Sequence, residues 1–187
     1  MPRPKTLPDS EVLSAALSLM HAQGPDALTF AALAAASGLS GSTLVQRFKS
    51  KAELARAALL FAWDQLDART EEAAAAAPKT PEGAIELLVA LSGDYGGIES
   101  YAEGLLILRE DFRDPALRAR GKAWGERLQQ ALSDCFAATP GAPKDIGALM
   151  AAQWQGALIW WGFDPALPVE EHVRRSLNAL IVAVMRQ

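Results

Sequence analysis

Residues 29–51, TFAALAAASGLSGSTLVQRFKSK, decide the fold of this chain, because they have the pattern of two short helices joined by a tight turn. The hydroxyl of Thr29 is suited to capping the first helix, whose apolar residues recur at spacings of three and four. Gly38 ends that helix, since glycine can adopt a left-handed backbone conformation that reverses the chain. Ser40 can then cap the helix that follows.

The second of these helices has one apolar and one polar side. Leu44 and Phe48 are four residues apart and share a face, whereas Ser42, Thr43 and Gln46 project roughly the opposite way. The apolar side can fix such a helix to partner helices, while the polar side presents donors and acceptors to the major groove of DNA. The pattern predicts the recognition helix of a helix-turn-helix unit.

Cationic residues surround the end of this helix. Arg47 flanks the polar side, and Lys49 and Lys51 lie where the next helix begins, so that side-chain charges and free backbone N–H groups there can both meet phosphate. Residues 1–51 hold five bases against three acids, whereas the remainder holds 13 bases against 19 acids. The N-terminal part alone can therefore offer DNA a favourable field.

From about residue 11 to residue 60 the sequence resembles the TetR/AcrR family of ligand-responsive transcriptional repressors. The family core, G-[VL]-S-x-[GS]-[TS]-[LI]-Y-x-[HY]-F-x-[ST]-K-x-x-L, is matched at Gly38, Leu39, Ser40, Ser42, Thr43, Leu44, Phe48, Ser50, Lys51 and Leu54. The chain departs from it at Val45, where the family has an aromatic residue, and at Gly41, where it often has a base.

The resemblance implies an all-α protein of about nine helices. Residues 1–52 would form a three-helix, helix-turn-helix DNA-binding domain, and residues 53–187 a helical bundle for ligand binding and dimerisation. A dimer would bind a pseudo-palindromic operator through recognition helices roughly 34 to 36 Å apart, or spaced by one helical turn more, and a small effector would release it. The residues expected to contact base edges are Ser42, Thr43 and Gln46. Those expected at phosphates are Thr29, Arg47 and Lys51, and Ser40 and Lys49 complete the predicted DNA interface.

Periodicity predicts further helices at about residues 8–23, 51–77, 81–93, 100–112, 115–138, 144–162 and 169–186. The run LLIL at residues 105–108 predicts a helix buried on more than one side. The last two helices carry enough apolar area that we predict a homodimer through them, since two-fold pairing supplies a second half-site. The alternative is that both helices only close the core of the monomer.

Aromatic residues are concentrated outside the N-terminal domain. Four of the five tryptophans lie beyond residue 120, which suggests a largely apolar cavity for a small apolar or aromatic effector. The residues predicted to line it are Phe61, Trp124, Gln153, Trp154 and Trp160. Each aromatic could instead be ordinary core.

No pattern indicates an enzyme, a cofactor or a metal site, because nucleophile–base pairs, glycine-rich phosphate loops and metal-ligand spacings are not found. A single cysteine, Cys135, fits a reducing compartment, and the sequence has neither a signal-peptide pattern nor a long apolar span. We therefore expect a cytoplasmic protein without membrane contact. The alternative function is a dimeric small-molecule-binding or scaffold protein that retains the head but has weak or no operator affinity, as Val45 and Gly41 would allow.

Overall fold

A computed structural model describes residues 7–93 and 97–185, which contain nine α-helices, one short 3-10 helix at Pro25–Ala27, and no β-strand. The predicted all-α fold is confirmed. The helices are α1 (Asp9–Gln23), α2 (Phe30–Ser37), α3 (Gly41–Phe48), α4 (Lys51–Ala76), α5 (Pro81–Ala90), α6 (Ile98–Arg113), α7 (Pro115–Cys135), α8 (Ile146–Phe163) and α9 (Val169–Val184).

The chain divides into two compact units, Met1–Gln65 with Glu99–Gly121, and Leu66–Ile98 with Lys122–Gln187. The first unit therefore groups α1–α3 with the start of α4, nearly all of α6 and the start of α7. Its core includes Leu33, Leu44 and Leu54, each fully shielded from solvent. This grouping differs from a division after residue 52, which remains a prediction about the functional domains.

The second unit contains the rest of α4 and α7 together with α5, α8 and α9. Its core includes Met150, Val173 and Leu177, each fully buried. A Cβ atom at Gly147 would lie only 2.0 Å from the Gln129 carbonyl oxygen, so glycine is what allows α8 to approach the α7 backbone this closely.

The prediction that residues 105–108 are buried on several sides is wrong. Ile107 is buried, but Leu105, Leu106 and Leu108 are 39%, 45% and 37% exposed. Ile107 and Asp111 are four residues apart, so they share the side of α6 that is covered. A run of apolar residues does not specify how many sides of a helix its neighbours cover.

Two helices end three residues earlier than their periodicity predicts. Helix α5 ends at Ala90, because residues 91–93 form a turn in which the Ser92 amide bonds the Val89 carbonyl. Helix α7 ends at Cys135 and is followed by turns. None of the helices in the described residues is long and apolar enough to cross a membrane.

Candidate nucleic-acid interface

Local hydrogen bonds build the turn between α2 and α3. Thr29 Oγ1 accepts from the Ala32 amide at 3.0 Å, and Ser40 Oγ accepts from the Thr43 amide at 3.1 Å, so both predicted N-caps are present. Gly38 ends α2 in the left-handed region, with φ 72°. Buried Ser37 adds a link that sequence reasoning missed, since its hydroxyl donates to the Leu33 carbonyl and accepts from the Leu39 amide.

Three hydroxyl groups meet at the start of α3. Ser40 Oγ lies 2.9 Å from Ser42 Oγ and 2.8 Å from Thr43 Oγ1. Ser42 is exposed and Thr43 is half-buried. The cap residue therefore also orients two of the side chains predicted to contact bases.

The exposed side of α3 is formed by Ser42, Val45 and Gln46, which we call the reading face. These residues are spaced i, i+3, i+4, so they project together. On the opposite side Leu44 is fully buried and Phe48 is 8% exposed. Val45, a departure from the family pattern, is 46% exposed and lies within the reading face.

Arg47 points away from the reading face and towards the start of α1. Its Nη1 donates to the Leu7 carbonyl at 2.7 Å and to Asp9 Oδ1 at 3.2 Å, and its side chain is 24% exposed. Contact with a phosphate through Nη1 would have to compete with these bonds. The structure therefore gives Arg47 a role in holding α3 against α1.

Lys49 and Lys51 lie on either side of the cap of α4. Lys49 has φ 59°, which is unusual for a residue with a Cβ atom, and its amide bonds the Val45 carbonyl at 2.8 Å. Ser50 Oγ accepts from the Glu53 amide, as an N-cap does. Lys51 is exposed, and its Nζ donates to the Asp26 carbonyl at 3.0 Å.

The five residues predicted to bind ligand do not line one cavity. Trp124 and Trp154 have ring centroids 6.3 Å apart and border a depression of about 260 Å³. Gln153 donates to Ser176 Oγ at 2.7 Å. Trp160 is 69% exposed, and Phe61 packs in the first unit against the core around Leu44.

The two paired indoles have fixed polar partners. Trp124 Nε1 donates to Thr70 Oγ1 at 2.9 Å, and Trp154 Nε1 donates to Ser92 Oγ at 2.7 Å. Both N–H groups are therefore already occupied within the chain. Among the described residues no group of three His, Cys, Asp or Glu side chains could hold a metal ion.

Residues 12–58, which run from within α1 to the first turns of α4, match the bacterial regulatory proteins of the tetR family. This segment is a tetR-family head. The match falls on the residues that carried the resemblance to the TetR/AcrR family, which is thereby confirmed. No curated protein matches the chain by sequence.

Solved structures extend the likeness in fold beyond the tetR-family head. A transcriptional regulator from Rhodococcus sp. Rha1 has a TM-score of 0.75 at 18% identity, covering 96% of this chain and 98% of that one. The TetR family regulator PfmR from Thermus thermophilus has a TM-score of 0.64 at 22% identity, and the alignment covers 91% of this chain and 97% of PfmR. The multidrug binding protein EbrR, solved with malachite green, has a TM-score of 0.62 at 22% identity, and the alignment covers 90% of this chain and 95% of EbrR.

Proposed function

We propose that the protein is a DNA-binding transcriptional regulator that acts as a homodimer in the cytoplasm and represses until a small molecule releases it from its operator. The observation that carries this proposal is the reading face. It is polar at both ends, exposed, and held rigidly because the opposite side of α3 is buried in the tetR-family head.

Each member of the interface has a chemical role. Gln46 can bond adenine through two atoms, and Ser42 and Thr43 can donate to or accept from base edges. Val45 offers a methyl surface to the C5-methyl group of thymine. Thr29, Lys49 and Lys51 contact phosphates, whereas Ser40 and Arg47 position α3.

Dimerisation through α8 and α9 is supported by their exposed apolar side chains. Ile159, Trp160 and Phe163 of α8 are 43%, 69% and 79% exposed, and Val182 of α9 is 47% exposed. Such a patch on a single chain is typical of a protein interface. A two-fold pair would carry two reading faces to the half-sites of a pseudo-palindromic operator.

The effector that we propose is apolar or aromatic, and the depression beside Trp124 and Trp154 is a place where it could bind in the second unit. EbrR, which shares the fold, was solved with the aromatic dye malachite green. For release, the effector must bind the DNA-free conformation more tightly than the DNA-bound one, because equal affinity shifts nothing.

The proposal is tested by selecting duplexes from a random pool and measuring their affinity by fluorescence anisotropy. We expect a pseudo-palindromic site bound about a thousandfold or more tighter than random DNA. Gln46→Ala should relax preference at one base pair, while Lys51→Ala should weaken all duplexes evenly and reduce the salt slope by about 1. A dimer that selects no sequence would favour the alternative, a ligand-binding or scaffold protein, which Val45 and Gly41 support.

A further inference from the structure

A larger concave site lies within the first unit. It is a groove of about 800 Å³, open on one side, between the end of α1, the 3-10 helix, the start of α4 and the junction of α6 with α7. This volume is within the range of small-molecule sites. It is distinct from the depression in the second unit, and the predicted ligand residues do not line it.

The groove combines apolar and charged walls. Leu59, Leu106 and Leu117 are among its apolar lining residues, and of these three only Leu106 is exposed. The charged members are four bases and three carboxylates, namely Lys51, Arg56, Arg109, Arg113, Asp26, Glu110 and Asp114. A ligand that fits this groove must therefore carry both an apolar body and a charge.

Two of the arginines are already neutralised. Arg56 Nε lies 3.2 Å from Asp114 Oδ2, and Arg113 Nη1 lies 3.5 Å from Glu110 Oε1. Asp114 also caps α7, because its Oδ1 accepts a hydrogen bond from the Ala116 amide at 2.7 Å. These pairs leave little charge for a ligand.

The remaining two cations are not compensated in this way. Arg109 is exposed and makes no hydrogen bond or ion pair within the part of the chain that the structure describes. Lys51 donates to the backbone carbonyl of Asp26, which is a neutral acceptor. The groove therefore has two available positive charges against the single carboxylate of Asp26.

We propose that this groove binds an organic carboxylate with an apolar body. Arg109 would hold the carboxylate, because a guanidinium presents paired N–H donors that match its two oxygens, and Lys51 would add a second charge. The apolar body would lie against Leu106 and the covered leucines beneath it. A cationic ligand would instead meet two like charges.

Occupancy of the groove bears on DNA binding through Lys51, and this step rests on the proposed function. Lys51 lines the groove and is also a proposed phosphate contact. A bound carboxylate would compete with phosphate for its ammonium group. By linkage, operator DNA and the carboxylate then weaken each other's binding by the same factor.

The test uses calorimetric titration of the full-length protein with sodium octanoate, 1-octanol and octyltrimethylammonium. We expect octanoate to bind more tightly than the other two. Arg109→Ala should weaken octanoate binding about tenfold, Arg109→Lys less, and Ala52→Leu, which narrows the groove, should weaken it as well. Arg175→Ala removes the same charge at an exposed position of α9 and should not change octanoate binding.

Several outcomes would overturn the inference. These are no octanoate binding, equal binding of all three probes, or octanoate binding that neither Arg109→Ala nor Ala52→Leu reduces. Circular dichroism checks that each variant is folded. These titrations contain no DNA, so they test octanoate binding independently of the proposed function. If the protein selects no duplex, the proposed function is wrong, but octanoate binding is unaffected. If the protein binds an operator, octanoate should lower the affinity of the original protein for that DNA. The same octanoate concentration should lower the affinity of Arg109→Ala much less.

Discussion

Arg47 in α3 and Asp9 in α1 are 38 residues apart in the chain, and Arg47 Nη1 lies 3.2 Å from Asp9 Oδ1. The same nitrogen donates to the Leu7 carbonyl at 2.7 Å. Because Asp9 is 67% exposed, the ion pair itself contributes little, and the hydrogen bond to the partly buried carbonyl contributes more. Helix α3 is thus held at its C-terminal end by the start of α1 and the residue shortly before it.

Arg47→Ala should lower stability and DNA affinity without changing the salt slope. Loss of the bond to Leu7 costs about 1 kcal/mol, which is a melting temperature lower by roughly 2 to 4 °C in a chain of this size. Lys51→Ala is the matched control: its bond to the Asp26 carbonyl is exposed to solvent, so the melting temperature should fall less than in Arg47→Ala, while the salt slope should become smaller. Thermal melts and anisotropy at several salt concentrations measure both. A reduced slope with normal stability in Arg47→Ala would make Arg47 a phosphate contact.

Lys49→Gly should raise stability while weakening DNA binding. The backbone at Lys49 has φ 59°, which glycine adopts without a Cβ clash, so the gain should be about 1 kcal/mol. Loss of the ammonium group removes a proposed phosphate contact. Lys49→Ala retains the strain and loses the charge, so it should weaken DNA binding equally with no gain in melting temperature. Equal stability of the two variants would contradict this account.

Val45→Ala should abolish sensitivity to one thymine methyl group in the selected operator. Replacing each thymine in turn by uracil should reveal one position that costs the original protein about 0.8 kcal/mol, or roughly fourfold in affinity. In Val45→Ala that position should no longer matter, whereas Gln46→Ala should keep the effect. If no uracil substitution changes affinity for the original protein, Val45 does not contact a thymine methyl group.

Gly156→Arg should convert the proposed dimer to a monomer. A Cβ atom at Gly156 meets nothing within 4 Å in the chain itself, so the substitution has room in the monomer. In a dimer packed through α8 it would place a charge in an apolar contact. Gly104→Arg, at an equally open position in α6, is the control. Sedimentation velocity should show that Gly156→Arg is a monomer and that Gly104→Arg is a dimer. If both variants are dimers, this face of α8 is not the interface.

Asp111→Asn should stabilise the protein at neutral pH and not in acid. Burial raises the pKa of the Asp111 carboxyl, although the hydrogen bond from Trp63 Nε1 at 3.0 Å acts in the opposite direction. The unfolded chain therefore loses this proton at a lower pH than the folded chain, and folding is penalised as pH rises through that interval. Asparagine keeps the acceptor for Trp63 and removes the charge.

Urea unfolding between about pH 4 and pH 7 measures this difference. The stability advantage of Asp111→Asn should grow with pH, whereas exposed Asp164→Asn should give a curve parallel to that of the original protein. An advantage that is constant across the range would mean that burial of the charge is not the cause.

The sequence predicts the head well because its signals act locally. Thr29, Gly38 and Ser40 each determine a helix end through partners within four residues, so their roles follow from spacing alone. The exposed and buried sides of α3 follow from helical periodicity for the same reason. The contacts of the proposed interface with DNA remain predictions.

Long-range packing could not be predicted in this way. Nothing near Arg47 in the sequence indicates that Leu7 and Asp9 are its partners. Likewise, the periodicity of α6 indicates which residues are apolar but not that Leu106 and Arg109 border a groove with α1 and α4. The aromatic residues chosen for one cavity are distributed among separate packing sites, because composition carries no information about which side chains meet.

The three hydroxyls of Ser40, Ser42 and Thr43 have a consequence for sequence tolerance. A hydroxyl can both donate and accept, so the direction of the bonds among them can reverse without moving a heavy atom. When Ser40 donates to Ser42, the Ser42 hydroxyl can offer its proton to the major groove of DNA. When Ser42 donates to Ser40, it can offer the DNA only a lone pair. A regulator with such an ambivalent side chain should accept purine and pyrimidine alike at that operator position, and would distinguish its sites chiefly through Val45 and Gln46.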